Sequence, residues 1–152
     1  MGQTNVGKTT LFNALTGSNK KVANYHGATT TLSSADLNNE TDITVYDLPG
    51  TYTLSLETKD EALTVETLRS SDEHSLWLFV LDAIELEKGI KNLELLLKEF
   101  NERHCRVVVA VNMIDEARYN KIKIFENKFK KKTLIDFVFF SAKKNENIDT
   151  LK

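Results

Sequence analysis

The sequence predicts a three-layer α/β sandwich with a mostly parallel sheet and one antiparallel strand. Two observations predict this class. Short apolar runs alternate along the chain with stretches of helical periodicity. One run, 107–111, is wholly apolar, as expected of a parallel strand that is covered on both faces. The length of 152 residues fits one domain with one core, so we predict a single domain over 1–152.

The individual elements follow from local patterns. A helix is predicted from Lys8 to Leu15, and Gly17 is a natural stop for it. Residues 29–37 and 42–47 are predicted to be strands that pair antiparallel through a short turn. The other predicted elements are helix 57–70, strand 75–81, helix 86–102, strand 106–111, helix 114–120, an amphipathic stretch at 122–132, strand 135–140 and a helix that begins at 147.

Composition excludes several functions. The net charge is −2, from 20 basic and 22 acidic residues, so nothing drives the chain towards nucleic acid or an anionic membrane. The lysine cluster at 128–132 is interpreted as a solvated helix end or loop rather than a partner surface. Cys105 is the only cysteine, which excludes an internal disulfide. No apolar run approaches the roughly 20 residues of a membrane span and no signal peptide is visible, so we expect a cytoplasmic chain.

Residues 2–9 read GQTNVGKT and match the phosphate-binding pattern G-x-x-x-x-G-K-[ST]. Its glycines permit tight turns that point backbone N–H groups at phosphate oxygens, and the helix after it presents its positive end. Lys8 is expected to reach the β- and γ-phosphates, and the Thr9 hydroxyl to bind Mg²⁺. The residues expected to contact the nucleotide here are Gly2, Asn5, Val6, Gly7, Lys8, Thr9 and Thr10.

A second motif, Asp47-Leu48-Pro49-Gly50, directly follows an apolar strand. An acid at the end of a strand can join the Mg²⁺ shell, so Asp47 is predicted as a magnesium ligand. Gly50 is predicted to offer its N–H to the γ-phosphate. The motif is common by itself, and its position after a strand downstream of the phosphate loop is what gives it weight.

Two further motifs select the base. Asp115, in Asn112-Met113-Ile114-Asp115, can accept hydrogen bonds from guanine N1–H and the exocyclic amine, which adenine does not offer, so GTP is favoured over ATP. Asn112 is expected to brace the base and to tie this segment to the phosphate loop. In Ser141-Ala142-Lys143 the Ala142 N–H is expected to donate to guanine O6. The predicted base-binding residues are Asn112, Met113, Asp115, Ser141, Ala142 and Lys143.

These motifs carry a family resemblance. Residues 24–29 read NYHGAT, close to the pattern N-W-P-G-V-T, and 47–52 read DLPGTY. The N-M-x-D at 112–115 replaces the commoner N-K-x-D. Over nearly its whole length the sequence resembles the cytosolic G domain of the FeoB family of bacterial ferrous-iron transport proteins. These are P-loop GTPases of the TrmE-Era-EngA-like class.

The resemblance implies roles for individual residues. Thr29 corresponds to the switch threonine that closes on Mg²⁺ and the γ-phosphate. Asn5 corresponds to a potassium ligand in potassium-activated relatives, although it can also be a plain loop residue that tightens the turn. Lys8, Thr29, Gly50 and Asn5 are the predicted catalytic residues. Met113 stands where other GTPases have lysine and can still pack on the guanine ring, and His26 replaces the family's proline.

The rate of hydrolysis is expected to be slow. Many GTPases place the attacking water with a glutamine just after D-x-x-G, but that position is Thr51 here. No other general base is evident, so we expect slow conversion of GTP to GDP and phosphate, with potassium at Asn5 in place of an arginine finger.

The ends of the chain are expected to be truncated. A phosphate loop normally follows a buried strand, whereas only Met1 precedes Gly2, and Lys152 stops one turn into the expected last helix. A full-length relative would continue into a helical regulatory domain and a transmembrane iron-transport region at the inner membrane, with this domain on the cytoplasmic face.

The predicted function is to couple the guanine-nucleotide state to iron(II) uptake. One alternative is a ribosome- or RNA-associated Era-like GTPase, which would want a basic RNA-binding region that the balanced charge does not supply. Another is a module that senses the GTP/GDP ratio with negligible hydrolysis, which Thr51 leaves open.

Overall fold

Five strands form two sheets in the part of the chain that the computed structural model describes, residues 1–18, 32–38, 40–51, 57–102, 105–124 and 135–152. Strands β1 (Ser33–Leu37) and β2 (Glu40–Asp47) pair antiparallel. Strands β3 (Leu76–Asp82), β4 (Arg106–Asn112) and β5 (Asp136–Phe139) form a parallel sheet in that order. The predicted α/β class and the antiparallel pair are confirmed.

Helices cover both faces of the parallel sheet because successive strand side chains point to opposite sides. The helices are α1 (Lys8–Thr16), α2 (Lys59–Ser70), α3 (Leu86–Glu102), α4 (Ile114–Tyr119) and a short 3₁₀ helix (Ile148–Leu151). On one face Trp77 and Phe79 pack against Phe100 of α3, with ring centroids 4.9 and 5.0 Å apart. On the other face Val80 and Ala110 join Leu11, Leu15 and Ile148. This arrangement is the predicted three-layer sandwich. Within the described ranges, no helix combines the length and the apolar character needed to cross a membrane.

The helix ends show what local sequence controls. Helix α1 ends at Gly17, as predicted, in the left-handed conformation with φ 69°. Helix α2 begins at Lys59 rather than at 57, because Thr58 caps it. The Thr58 hydroxyl accepts from Glu61 N at 3.2 Å, and the Glu61 carboxylate accepts from Thr58 N at 3.1 Å. This reciprocal capping box was present in the sequence as T-x-x-E but was not used in the prediction.

Two predicted helical segments differ from the structure. Instead of the α-helix expected from 147, a 3₁₀ helix runs from Ile148 to Leu151, and the side chain of Asn147 before it donates to Phe139 O at 3.0 Å. Residues 122–124 of the predicted amphipathic stretch are not helical, and its remainder, 125–132, lies outside the described residues. Part of the predicted first strand, 29–31, also lies outside them, as do Thr29 and His26.

Met1 lies beside β3 of the parallel sheet. Its amino group donates to Leu78 O at 2.7 Å, and its carbonyl accepts from Val80 N at 2.8 Å, which is the pattern of parallel strand pairing. Strands β2 and β3 are not paired with each other in the described part of the chain. A cavity of about 1530 Å³ lies between the sheets, with Leu11, Val45 and Trp77 among its lining. We call it the inter-sheet cavity.

Candidate functional site

Direct hydrogen bonds bring the four predicted motifs together at one edge of the fold. Thr9 joins the phosphate loop to Asp47, with Thr9 Oγ1 donating to Asp47 Oδ2 at 3.0 Å. Asn112 joins the same loop to the base-binding segments. The motifs were predicted from patterns that are far apart in sequence, and the structure places them in contact.

The phosphate loop has three residues with positive φ and packs closely against its neighbours. Gly2, Asn5 and Gly7 all have positive φ, at 146°, 62° and 87°. A β-carbon on Gly2 would lie 2.2 Å from Val80 O, and one on Gly7 would lie 2.3 Å from Asn112 Nδ2. Both glycines are therefore required by close contacts as well as by conformation. Asn5 is exposed and tolerates the left-handed region better than most residues.

Lys8 is folded back onto the loop that precedes it. Its ammonium group donates to the carbonyl oxygen of Gln3. Burial lowers the pKa of Lys8 to about 8, and the Asp47 carboxylate opposes part of that shift. A cation that is poorly solvated in this way gains much from an anion placed beside it. Thr10 follows in the first turn of α1.

Thr9 and Asp47 offer hard oxygen atoms side by side. Asp47 is buried, with 6% of its surface exposed, and its partner in the structure is the Thr9 hydroxyl. Hydroxyl and carboxylate oxygens suit Mg²⁺, which is commonly held by one or two protein groups together with water and phosphate oxygens. The described residues contain no cluster of three or more His, Cys, Asp or Glu that could hold a metal by themselves. The pair therefore fits a magnesium that is shared with a phosphate ligand.

Gly50 and Thr51 pack tightly against the phosphate loop. A β-carbon on Gly50 would lie 2.8 Å from Thr4 Cγ2, and Thr51 N donates to Gly2 O at 3.2 Å. The Thr51 side chain is 4% exposed and borders a cavity of about 20 Å³ that Phe79 also lines. Its hydroxyl oxygen is buried and has no hydrogen-bond partner among the described residues.

Asn112 is the buried link between the two halves of the site. It is 3% exposed, and its Nδ2 donates to Val6 O at 3.0 Å, which is the predicted tie to the phosphate loop. Its Oδ1 accepts from Ala142 N at 2.9 Å. This second bond was not predicted from the sequence, because the Ala142 N–H was expected to donate to guanine O6. In the structure Asn112 takes that donor.

Asp115 lies in the first turn of α4, after Met113, which starts the helix in the left-handed conformation with φ 66°. A hydrogen bond with the Ser141 hydroxyl holds the pKa of Asp115 below its usual range. Asp115 is therefore a carboxylate, and only an acceptor, at neutral pH. Lys143 is largely exposed, and its ammonium lies 3.8 Å from Glu116.

Arg118 and Glu146 were not predicted from the sequence. Glu146 pairs with Ser141 through two backbone hydrogen bonds of 3.1 and 3.0 Å, which close the loop 141–146. Arg118 Nη1 donates to both Glu146 carboxylate oxygens, at 2.8 and 2.9 Å. Neither residue belongs to a motif and they are far apart in sequence, so no pattern signals the pair.

Comparison with known proteins agrees with the resemblance seen in the sequence. The profile of the family described as Ferrous iron transport protein B matches residues 1–152. The Fe(2+) transporter FeoB of Leptospira biflexa is 34% identical over 155 residues, covering 100% of this chain and 22% of the relative. That of Helicobacter pylori strain 26695 is 36% identical over 148 residues, covering 97% of this chain and 22% of the relative. The chain spans about a fifth of the length of these relatives.

Solved structures agree in fold as well. NFeoB from S. thermophilus bound to GDP·AlF₄⁻ and K⁺ superposes with a TM-score of 0.86 at 31% identity, covering 99% of this chain and 57% of that one. The FeoB G-domain from Methanococcus jannaschii gives a TM-score of 0.75 at 30% identity, covering 99% and 88%. With the family profile matched over its whole length, the chain belongs to the ferrous iron transport protein B family, as the sequence motifs predicted.

Proposed function

We propose that this chain binds GTP and GDP with Mg²⁺, hydrolyses GTP slowly, and acts as the nucleotide-dependent switch of a ferrous iron transporter. The observation that carries the proposal is Asn112, whose single side chain joins the phosphate loop to the base-binding loop. The structure of NFeoB bound to GDP·AlF₄⁻ and K⁺ supports it by similarity.

Guanine selection follows from the charge state of Asp115. Because its pKa is held low by Ser141, the carboxylate accepts from the N1–H and amine of guanine throughout the neutral range. Met113 packs on the ring, and Lys143 lies near the rim of the site. The Ala142 N–H reaches guanine O6 by sharing or exchanging its bond to Asn112.

The experiment that tests guanine selection replaces Asp115 by Asn. Xanthine carries an oxygen where guanine carries the amine, so an amide at 115 can donate where the carboxylate accepted. The unsubstituted chain should bind GDP and not ADP or XDP, and Asp115→Asn should bind XDP instead of GDP, measured by titration calorimetry. Loss of GDP binding without gain of XDP, in a variant that is still folded, would argue against the proposed role of Asp115.

Phosphate binding uses the charges on the other side of the site. Lys8 exchanges the Gln3 carbonyl for phosphate oxygens, and the N–H groups of the loop and of Gly50 surround the same oxygens. Thr9, Asp47 and Thr29 would hold Mg²⁺, which when bound neutralises charge on the β- and γ-phosphates. Two residues of that set lie in the described part of the chain, and their oxygen atoms, Thr9 Oγ1 and Asp47 Oδ2, are 3.0 Å apart.

Slow turnover and potassium dependence are proposed from Thr51 and Asn5. The Thr51 hydroxyl is buried, so the chain lacks the water-placing side chain that many GTPases have after D-x-x-G. Asn5 is exposed on the loop, where its carbonyl oxygen is available to a monovalent cation. The crystal structure of NFeoB from S. thermophilus is bound to GDP·AlF₄⁻ and K⁺.

Single-turnover hydrolysis in potassium and in sodium tests these proposals. We expect faster turnover in potassium, loss of the difference in Asn5→Ala, and partial retention in Asn5→Asp, which keeps a side-chain oxygen. Equal rates in both salts would remove the potassium role. No measurable turnover in either salt would favour the second candidate function, a sensor of the GTP/GDP ratio, which the buried Thr51 supports.

The wider role is proposed from the relatives, of which this chain covers about a fifth. We place the domain on the cytoplasmic face of the cell membrane, beside a helical regulatory domain and a transmembrane region that carries iron(II). Uptake of radioactive iron by cells that express the full-length protein should fall when Lys8 is replaced by Ala. Unchanged uptake would show that iron transport does not depend on the nucleotide state of this domain.

A further inference from the structure

The side chains of Arg118 and Glu146 form a close ion pair that joins two segments of the chain. Arg118 lies in the last turn of α4, and Glu146 ends the loop 141–146. One guanidinium nitrogen donates to both carboxylate oxygens, at 2.8 and 2.9 Å. Both distances are in the range of strong charge-assisted hydrogen bonds.

The two partners belong to the two segments that contact the base. Helix α4 carries Asp115 one turn before Arg118. Glu146 pairs through its backbone with Ser141, next to Ala142. A shift of the loop away from α4 would therefore separate the acceptor for guanine N1–H from the donor for O6. The side-chain pair opposes that shift from the outer edge of the site.

A second contact crosses the same boundary with the charges reversed. Glu116 of α4 faces Lys143 of the loop, with oxygen and nitrogen 3.8 Å apart. Each segment thus presents one cation and one anion to the other. The 3.8 Å pair is longer and its lysine is 73% exposed, so Arg118–Glu146 is the stronger of the two.

We propose that Arg118 and Glu146 are positioning residues that hold the two base-binding segments together and so set the rate at which guanine nucleotide leaves. This proposal rests on the proposed function. The pair touches neither the phosphate loop nor Asp47. Its loss therefore accelerates release and leaves the hydrolysis step of bound GTP unchanged.

The size of the effect follows from the exposure of the pair. Arg118 and Glu146 are 63% and 35% exposed, and exposed pairs contribute little. Two short hydrogen bonds from one guanidinium nitrogen place this pair at the upper end of that range, so we expect dissociation of GDP to become about two- to fivefold faster when the pair is broken. The acceleration should shrink at high salt, which weakens the intact pair.

The experiment measures release of a fluorescent GDP by stopped flow from the unsubstituted chain, Glu146→Gln, Arg118→Gln and the swapped variant Arg118→Glu/Glu146→Arg. The two single variants should release GDP faster, and the swapped variant should return towards the original rate. Glu85→Gln is the matched control, because Glu85 loses the same charge from an exposed pair with Lys88 at 3.2 Å. Its release rate should not change.

Each outcome has a definite meaning. An unchanged rate in Glu146→Gln, or an equal change in Glu85→Gln, overturns the proposal, and so does a swapped variant that releases GDP as fast as the single variants. A slower single-turnover hydrolysis of bound GTP would also overturn it, since the pair would then act on the phosphate side. If the unsubstituted chain does not bind GDP, the proposed function fails and this proposal fails with it.

Discussion

The site has a base side, made of residues 112–115 and 141–146, and a phosphate side, made of residues 2–9 and 47–51, and the two are built differently. The base side stands on β4 and β5, which are paired along their length, and its segments are joined by bonds between protein groups such as Asn112 to Ala142. The phosphate side joins a parallel sheet to a hairpin that is not paired with it in the described residues. The main charged group of this side, the Lys8 ammonium, donates a hydrogen bond to the carbonyl oxygen of Gln3. We therefore propose that the base side is the more preorganised of the two, and that a bound nucleotide adds order on the phosphate side, where Thr9–Asp47 and Thr51–Gly2 are the direct links.

Replacing Asn112 by Ala should have the largest effect, because it removes the link between the two sides. Val6 O and the Ala142 N–H would lose their partner in a buried place, at a cost of about 1–3 kcal/mol each. We expect urea denaturation to show a loss of about 2–6 kcal/mol. Asn120→Ala is the control, since that exposed side chain bonds only to Glu116 O within its own helix and should cost under about 1 kcal/mol. Similar losses in both variants would refute the linking role.

Gly7→Ala tests how closely the two sides approach each other. The new β-carbon would lie 2.3 Å from Asn112 Nδ2, at a residue with φ 87°. We expect GDP affinity to fall by about a hundredfold, near 3 kcal/mol, from strain and displacement of Asn112. Gly89→Ala is the control, because its β-carbon would meet only the Leu81 side chain, at 3.2 Å from Cδ2 and 3.6 Å from Cβ, and Gly89 has no positive φ. Affinities that fall equally would show a general packing effect.

An added strand tests whether the phosphate side is the less stable one. A short apolar extension ahead of Met1 should continue its pairing with β3 and fill the inter-sheet cavity. A net gain of about 2 kcal/mol would raise the melting temperature by about 4–8 °C. An extension of Gly and Ser of equal length should not. If neither extension changes the melting temperature, pairing with β3 beyond Met1 adds no stability.

The pH dependence of binding gives a smaller test of Lys8. Its pKa of about 8 lies below the ordinary 10.5, so the free protein loses this charge as pH rises through 8, while bound phosphate keeps the lysine protonated. GDP affinity should be constant below pH 8 and fall by about tenfold at pH 9. Because arginine stays charged, Lys8→Arg should give a flatter profile. A flat profile in the unsubstituted chain would show that the charge of Lys8 does not change between pH 7 and 9.

The same linkage predicts the stability of the ligand-free chain. Between about pH 8 and 10.5 the unfolded state binds more protons at Lys8 than the folded state does, so the contribution of Lys8 to stability rises with pH in that window. The free chain should thus gain stability from this group where its affinity for GDP declines.

The sequence predicted most of the fold because its strongest patterns report local requirements. The apolar run 107–111, which lies within β4, and the stop at Gly17 are examples, and both were confirmed. It also predicted the motif residues that the structure brings together. It could not predict the partner of Ala142 N–H or the Arg118–Glu146 pair, because both depend on how two loops meet in space. The 3₁₀ helix was not predicted, because the residue pattern of a segment as short as Ile148–Leu151 does not distinguish it from a turn of α-helix.

The amide of Asn112 also limits which sequences can occupy this position. One planar group supplies a donor to Val6 and an acceptor to Ala142, at 3.0 and 2.9 Å. Aspartate has the same length but lacks the donor. Glutamine places its amide one carbon further out, and the space next to Asn112 Nδ2 is already so tight that Gly7 has no room for a β-carbon. We therefore expect any substitution at position 112 to break at least one of the two bonds, and with it the connection between the two halves of the site.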